Sequence, residues 1–331
     1  MAEALRFGFD REVSPALMQA LKTEPFSELL DLRNTDTRVR DLQLRREPKG
    51  AVSWASLYVG LTTVLDLMVR NHRWRFRAAR SHQERGAFDP TWLSWRSFKD
   101  VAADWPAVRQ YVERVEPLVD PRWTRTEGVV HALLCSGASK GFTVANREAS
   151  PWFSDQPTKD RIVGEITAPL VAAIDSHEGS EAWWPGRTHP LRLGTSPDVL
   201  GVNDAGQVLV IEAKPASATA GIVKGPVQVR VYAELFARWL GSDPSAVGSI
   251  RRMLDQRVEL KLSRRSQMVP TPDAAVIPVL AIGGEVRSRV VKDRCLEVAE
   301  AIGNVPCDAR LEPVQIWELD EHGDMAQQWT R

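Results

Sequence analysis

The strongest constraint in this chain is a stretch that is nearly symmetric about its own centre. From Thr195 to Pro215 it reads Thr-Ser-Pro-Asp-Val-Leu-Gly-Val-Asn-Asp-Ala-Gly-Gln-Val-Leu-Val-Ile-Glu-Ala-Lys-Pro. Two apolar runs, 199–202 and 208–213, flank the polar Asn203-Asp204-Ala205-Gly206-Gln207. Apolar runs joined by a short, Gly-containing polar loop form a β-hairpin. Folding about Ala205 sets Asp198 opposite Glu212, since each lies seven residues away. Directly opposed side chains have Cβ atoms about 4.5–5.5 Å apart. Lys214 is two residues beyond Glu212 and shares its face. The hairpin is expected to gather two carboxylates and an ammonium at the end of an apolar strand.

Two carboxylates at that separation repel each other unless a cation lies between them. Oxygen donors with no Cys or His nearby suit Mg²⁺ or Mn²⁺. Such an ion polarises a phosphoryl oxygen and activates a water, and Lys214 would orient that water or neutralise charge building on phosphorus. The alternative is a surface hairpin with a structural ion pair. Pro197-Asp198 followed by Glu212-Ala213-Lys214 resembles the PD-(D/E)XK nuclease superfamily, whose fold is restriction-endonuclease-like, over roughly residues 159–282. The resemblance implies a metal held by Asp198, Glu212 and the backbone carbonyl of Ala213, with Lys214 assisting the water.

After the strand, residues 225–236 read as a helix. Gln228 and Tyr232 stand four apart on one face of it. This Gln-x-x-x-Tyr pair is similar to the motif that follows the catalytic strand in RecB-like members, which implies that Gln228 belongs to the site. In the family the first helix often carries a third acid. Glu165, on an apolar-faced helix over 158–174 with Pro169 as a kink or break, is the candidate. Glu127, on an earlier helix, is the rival.

The length of 331 residues suits two domains. We read an N-terminal α+β recognition or regulatory domain over 1–150 and an α/β nuclease-like domain over 151–331, entered through a Pro- and polar-rich linker at 149–157. The 43 basic and 43 acidic residues cancel, so any attraction to a polyanion must come from a local patch. Cys135, Cys295 and Cys307 are too widely spaced for a disulfide framework or a zinc ligand set, which fits a reducing cytoplasm. No apolar signal core and no apolar run of membrane-spanning length is present, so a cytoplasmic protein without a membrane partner is expected.

In the first half, Ser14-Pro15 marks a helix start, and a short helix follows Pro25. Alternating apolar residues over 57–69 predict one long strand, with Arg70-Asn71-His72 as its turn. Arg73, Arg75 and Arg77 then alternate with Trp74, Phe76 and Ala78. That pattern puts three guanidinium groups on one strand face, either a phosphate-contacting surface or a solvated outer face. Three helices are expected over 94–104, 106–119 and 126–135, with Pro106 starting the second. In the second half, a basic helix over 249–265, a buried strand over 274–282, a helix over 288–302 and a terminal hairpin about 320–323 complete an α/β order.

These features lead to the expectation of a Mg²⁺-dependent deoxyribonuclease serving restriction, phage defence or repair. DNA would be its substrate, and a homodimer is expected by analogy with double-strand cutters. Two other readings stand beside it. One is a catalytically silent nucleic-acid-binding or assembly subunit. The other is a nuclease switched on by a protein partner or small molecule through the N-terminal domain. No Gly-x-x-x-x-Gly-Lys loop is present, so ATP use within this chain is not expected.

Overall fold

A computed structural model describes residues 7–33, 40–48, 50–121, 126–135, 141–177, 179–180, 183, 194–263, 269–271 and 273–330. The chain divides into two units, one made of residues 10–137 and 252–265, the other of residues 1–9, 138–251 and 266–331. Residues 138–150, expected in the N-terminal domain, group with the second unit. The expected linker at 149–157 contains the strand Trp152–Phe153, which pairs antiparallel with Phe7–Gly8.

The first unit begins with helices α1 (Pro15–Leu21) and α2 (Glu28–Arg33). Ser14 caps α1 as its sequence predicts, accepting from Leu17 N at 3.4 Å, with Pro15 in the first turn. A four-stranded antiparallel meander follows: β1 (Arg40–Arg46), β2 (Ser53–Val59), β3 (Thr62–Arg70) and β4 (Arg73–Arg77). The single strand expected over 57–69 is therefore a hairpin, turning at Gly60 with φ +60°. Its alternation survives the turn because the register shifts at Leu57/Tyr58, so that Leu57 opposes Leu65 while Val59 opposes Thr62. This β-bulge returns Leu65, Leu67 and Val69 to the face of Leu57.

Helix α3 (Arg80–Gly86), the long α4 (Phe98–Val115) and α5 (Glu127–Cys135) complete this unit. Pro106 does not start a helix; it sits inside α4, which Ser97 caps by accepting from Asp100 N at 3.2 Å. An interior proline costs about 3 kcal/mol. Burial of Trp105, Val108, Tyr111, Val112 and Val115 in one apolar cluster with Leu57, Leu67 and Phe76 offsets it. Leu260 and Leu262, from residues 252–265, join the same cluster.

The second unit carries a six-stranded mixed sheet. In chain order its elements are β5 (Phe142–Arg147), α6 (Gln156–Asp175), β6 (Val199–Asn203), β7 (Val208–Pro215), α7 (Thr219–Ser242), the first residues, 246–251, of α8 (Ala246–Glu259), whose remainder belongs to the first unit, β8 (Val276–Gly283), α9 (Arg289–Gly303), β9 (Gln315–Leu319) and β10 (Met325–Gln328). The spatial order is β10-β9-β8-β7-β6-β5; β8 runs parallel to β7 and β9, and the other pairings are antiparallel. This is a mixed α/β sheet packed against helices. Ile222 of α7, Leu280 and Ile282 of β8, Cys295 of α9 and Ile316 of β9 form one buried cluster.

Two helices of this unit run through an interior proline. Pro169 lies within an unbroken α6, and α7 extends through Pro226 from Thr219 to Ser242. The basic helix expected over 249–265 is α8, ending at Glu259; Arg264 and Arg265 lie outside the described residues. Among the described residues, no helix is long and apolar enough to cross a membrane.

Candidate active site

The site is built on the β6–β7 hairpin. Asn203 locks its turn: Oδ1 accepts from Ala205 N at 3.1 Å and Gln207 N at 2.9 Å, while Gly206, at φ +77°, donates its N–H to Asn203 O at 2.9 Å. The resulting register is Val202↔Val208, Gly201↔Leu209, Leu200↔Val210 and Val199↔Ile211. The ladder ends there, and Asp198 and Glu212 are the next residues beyond its last pair, the positions that symmetry about Ala205 matches. Asp198 closes the ladder with its side chain, its Oδ2 accepting from Ala213 N at 2.7 Å. On the other side of β7, parallel β8 sets Glu212 beside Leu280 and Lys214 beside Ile282. The charged groups therefore cluster at the carboxyl end of a central parallel strand, the end at which open α/β sheets bind ligands.

Glu212 is buried, and a carboxylate there needs a partner. Lys214 supplies one: its Nζ lies 2.6 Å from Glu212 Oε1, the two side chains being 14% and 5% exposed. Helix α7 brings two more polar groups to the pair. Tyr232 is buried, lies near Gln228, and feels the charges of Glu212, Asp198 and Lys214. Burial is the main cause pushing its hydroxyl above the ordinary phenol range. The acids add to that shift, and the Gln228 carboxamide and the Lys214 charge oppose it.

Glycine permits this approach. A Cβ at Gly225 would fall 2.5 Å from Leu280 Cδ1, and one at Gly221 would fall 3.2 Å from Lys214 Cδ. Asp198, Glu212, Lys214, Gln228 and Tyr232 are thus brought together, with the buried Ala213 backbone between the acid and the ammonium.

Strand β5 fixes the Pro197-Asp198 corner from the far side. Its register, Arg147↔Val199, continues so that Glu148 N donates to Asp198 O at 2.7 Å and Ala149 N to Pro197 O at 3.0 Å. Glu148 adopts φ +51°, a conformation few non-glycine residues take. Sequence reasoning missed Glu148 because its place beside Asp198 arises from pairing between strands about fifty residues apart, for which local periodicity carries no signal.

Glu165 stands elsewhere. It is exposed on α6, with Oε1 2.8 Å from Arg161 Nη1 and Oε2 3.7 Å from Arg238 Nη1; Arg238 also bonds Glu234 at 3.0 Å. Its partners are arginines, and the structure does not bring it into the group around Glu212. Glu127 belongs to the first unit, where its Oε1 lies 3.9 Å from His131 Nε2 on α5. His177 packs against Trp183 at 4.7 Å between ring centroids, and His189 lies outside the described residues.

The arrangement presents two carboxylates just beyond the last antiparallel pair, a neighbouring ammonium and, on α7, a carboxamide near Tyr232. No protein-family model, curated protein or solved structure matches this chain.

Proposed function

We propose that the chain is a metal-dependent phosphodiesterase acting on DNA, and that its six-stranded unit has the restriction-endonuclease-like fold. The observation carrying this reading is the hairpin register, which ends one residue short of Asp198 and Glu212, with Asp198 Oδ2 2.7 Å from Ala213 N and Lys214 Nζ 2.6 Å from Glu212 Oε1. The donor set fits a hard divalent cation: it is all oxygen, and Glu212 already draws a cation as its buried partner. Asp198, Glu212 and the Ala213 carbonyl would hold Mg²⁺ or Mn²⁺. The ion would lower the pKa of a bound water and polarise the scissile phosphoryl group.

The remaining work falls to this chain's own residues. Lys214 would orient the attacking water and neutralise charge on the phosphoryl oxygens as it develops. Its stem is confined beside Gly221, which limits the positions the ammonium can take. Gln228, one helical turn before Tyr232 on α7, would place its carboxamide toward a substrate phosphate. The packing of α7 excludes water from the Glu212 side, which strengthens each of these interactions.

The test is cleavage of circular and linear DNA by the full chain in Mg²⁺, Mn²⁺ or chelator, wild type against Asp198→Asn. Asparagine keeps an acceptor for Ala213 N–H and removes only the charge. Cleavage should need the divalent ion and fall about 100-fold or more in the variant, with an unchanged thermal melt. Cleavage insensitive to Asp198→Asn would overturn the assignment. Binding without cutting in every divalent ion would instead identify a silent subunit.

A further inference from the structure

We propose that the exposed β4 edge of the β1–β4 sheet, with the adjoining end of β3, binds single-stranded nucleic acid, with Arg70, Arg73, Arg75 and Arg77 on the phosphates and Trp54 and Trp95 against the bases; deeper on the same face Gln43, Ser56 and Met68 are buried. This surface lies in the first unit and does not depend on the hydrolase reading.

The face is set by register. Asn71 and His72, at φ +48° and +60°, make a two-residue turn, so Arg70 opposes Arg73, Met68 opposes Arg75 and Asp66 opposes Arg77. On β2, Trp54 lies beside Met68 and Ser56 beside Asp66. Trp74 and Phe76 point the other way into the core, at 4% and 0% exposure. Four guanidinium groups therefore crowd one sheet surface.

Their charge is barely offset. Asp66 accepts from Ser56 Oγ at 2.6 Å and from Arg77 Nε at 2.8 Å. Arg73 donates to the Trp95 carbonyl and Arg75 to the Leu93 carbonyl at 3.5 Å, neutral acceptors that leave the positive charge in place. Among the described residues, Arg70, Arg73 and Arg75 form no ion pair. The crowding shows in Arg75, whose pKa is depressed by burial first and then by Arg77 and Arg70. A polyanion would relieve that repulsion.

The indoles decide between single strand and duplex. The Arg75 guanidinium sits 4.4 Å over the Trp95 ring and Arg77 sits 5.6 Å over Trp54, and both rings are half-buried. Aromatic platforms interleaved with cations stack unpaired bases, whereas a duplex hides its base faces.

The experiment is fluorescence anisotropy of the full chain with a labelled oligo-dT of about 15 nucleotides, in chelator, across a salt series. Arg70→Ala with Arg73→Ala, both exposed and so compatible with folding, should weaken binding about tenfold. The same change should flatten the log–log salt slope by about 1.4, two contacts at roughly 0.7 each. Trp95→Ala should weaken binding with the slope unchanged, and Arg75→Lys should preserve the slope; melts verify folding of each. Arg287→Ala, at an exposed arginine of the second unit, should bind as wild type does. Unchanged affinity and slope in the double arginine variant would overturn the proposal. So would equal binding of polyglutamate of the same charge, tighter binding of a duplex of equal length, or an equal loss of binding in Arg287→Ala.

Discussion

Replacing Lys214 with methionine isolates the electrostatics of the candidate site. The ammonium lies 2.6 Å from Glu212 Oε1, with side-chain exposures of 14% and 5%. Methionine keeps most of the stem that packs beside Gly221, so the change removes charge more than volume. Removing one partner of a buried ion pair costs about 3–5 kcal/mol, because the other charge stays buried without compensation. With a urea m-value of about 2 kcal/mol/M, the midpoint of the unit's transition should fall by about 1.5–2.5 M. Adding Glu212→Gln to Lys214→Met should recover much of that loss, since a neutral pair has no charge to desolvate. If Asp198 and Glu212 hold a divalent ion, Mg²⁺ should narrow the gap between Lys214→Met and wild type, and Na⁺ at equal ionic strength should not. The assay is urea unfolding followed by circular dichroism for the three chains, with and without Mg²⁺. A single variant within about 0.5 kcal/mol of wild type, or a double variant less stable than the single, would refute the reasoning.

Two further outcomes follow from packing and titration. Gly225→Ala should lower stability by about 1–3 kcal/mol, net of its better helix propensity, because its Cβ would meet fully buried Leu280 at 2.5 Å; a chemical-denaturation midpoint equal to wild type would show that α7 can move away from β8. At Glu318, burial works to raise the pKa, but donation from Val286 N at 2.7 Å and Lys292 Nζ at 3.2 Å outweighs it, and the net shift is downward. A depressed carboxyl contributes stability that is present above its unfolded pKa of about 4.3 and lost as pH falls through the lower folded value. Glu318→Gln should therefore cost about 1–3 kcal/mol at pH 7 and flatten the acid limb of the stability profile; an acid limb unchanged in the variant would contradict that.

How much of the site was legible depended on the range of each interaction. The placement of Asp198 and Glu212 at the end of the hairpin ladder could be read directly because a five-residue turn set it, and Asn203 and Gly206 enforce that turn locally. The Arg73, Arg75 and Arg77 face was legible for the same reason, through period-two alternation across a short turn. The strand expected over 57–69 failed because a bulge restored the alternation that a turn would otherwise have broken. Pro106 misled as a helix start and Pro169 as a kink or break, because burial of the surrounding apolar faces outweighs a missing hydrogen bond.

The amino-acid order by itself determined the hairpin, its register and the face that Lys214 shares with Glu212, since all three follow from contacts within about twenty residues. Tertiary structure alone decided how closely Tyr232, whose Gln-x-x-x-Tyr motif had pointed to the site, approaches those acids, that Glu148 flanks Asp198, and that Glu165 pairs with Arg161 and Arg238 instead. Those outcomes depend on how far α7 can descend onto β8 at Gly225 and on which distant strand closes the sheet. Both are set by packing volume and long-range backbone pairing, which no local pattern of residues encodes.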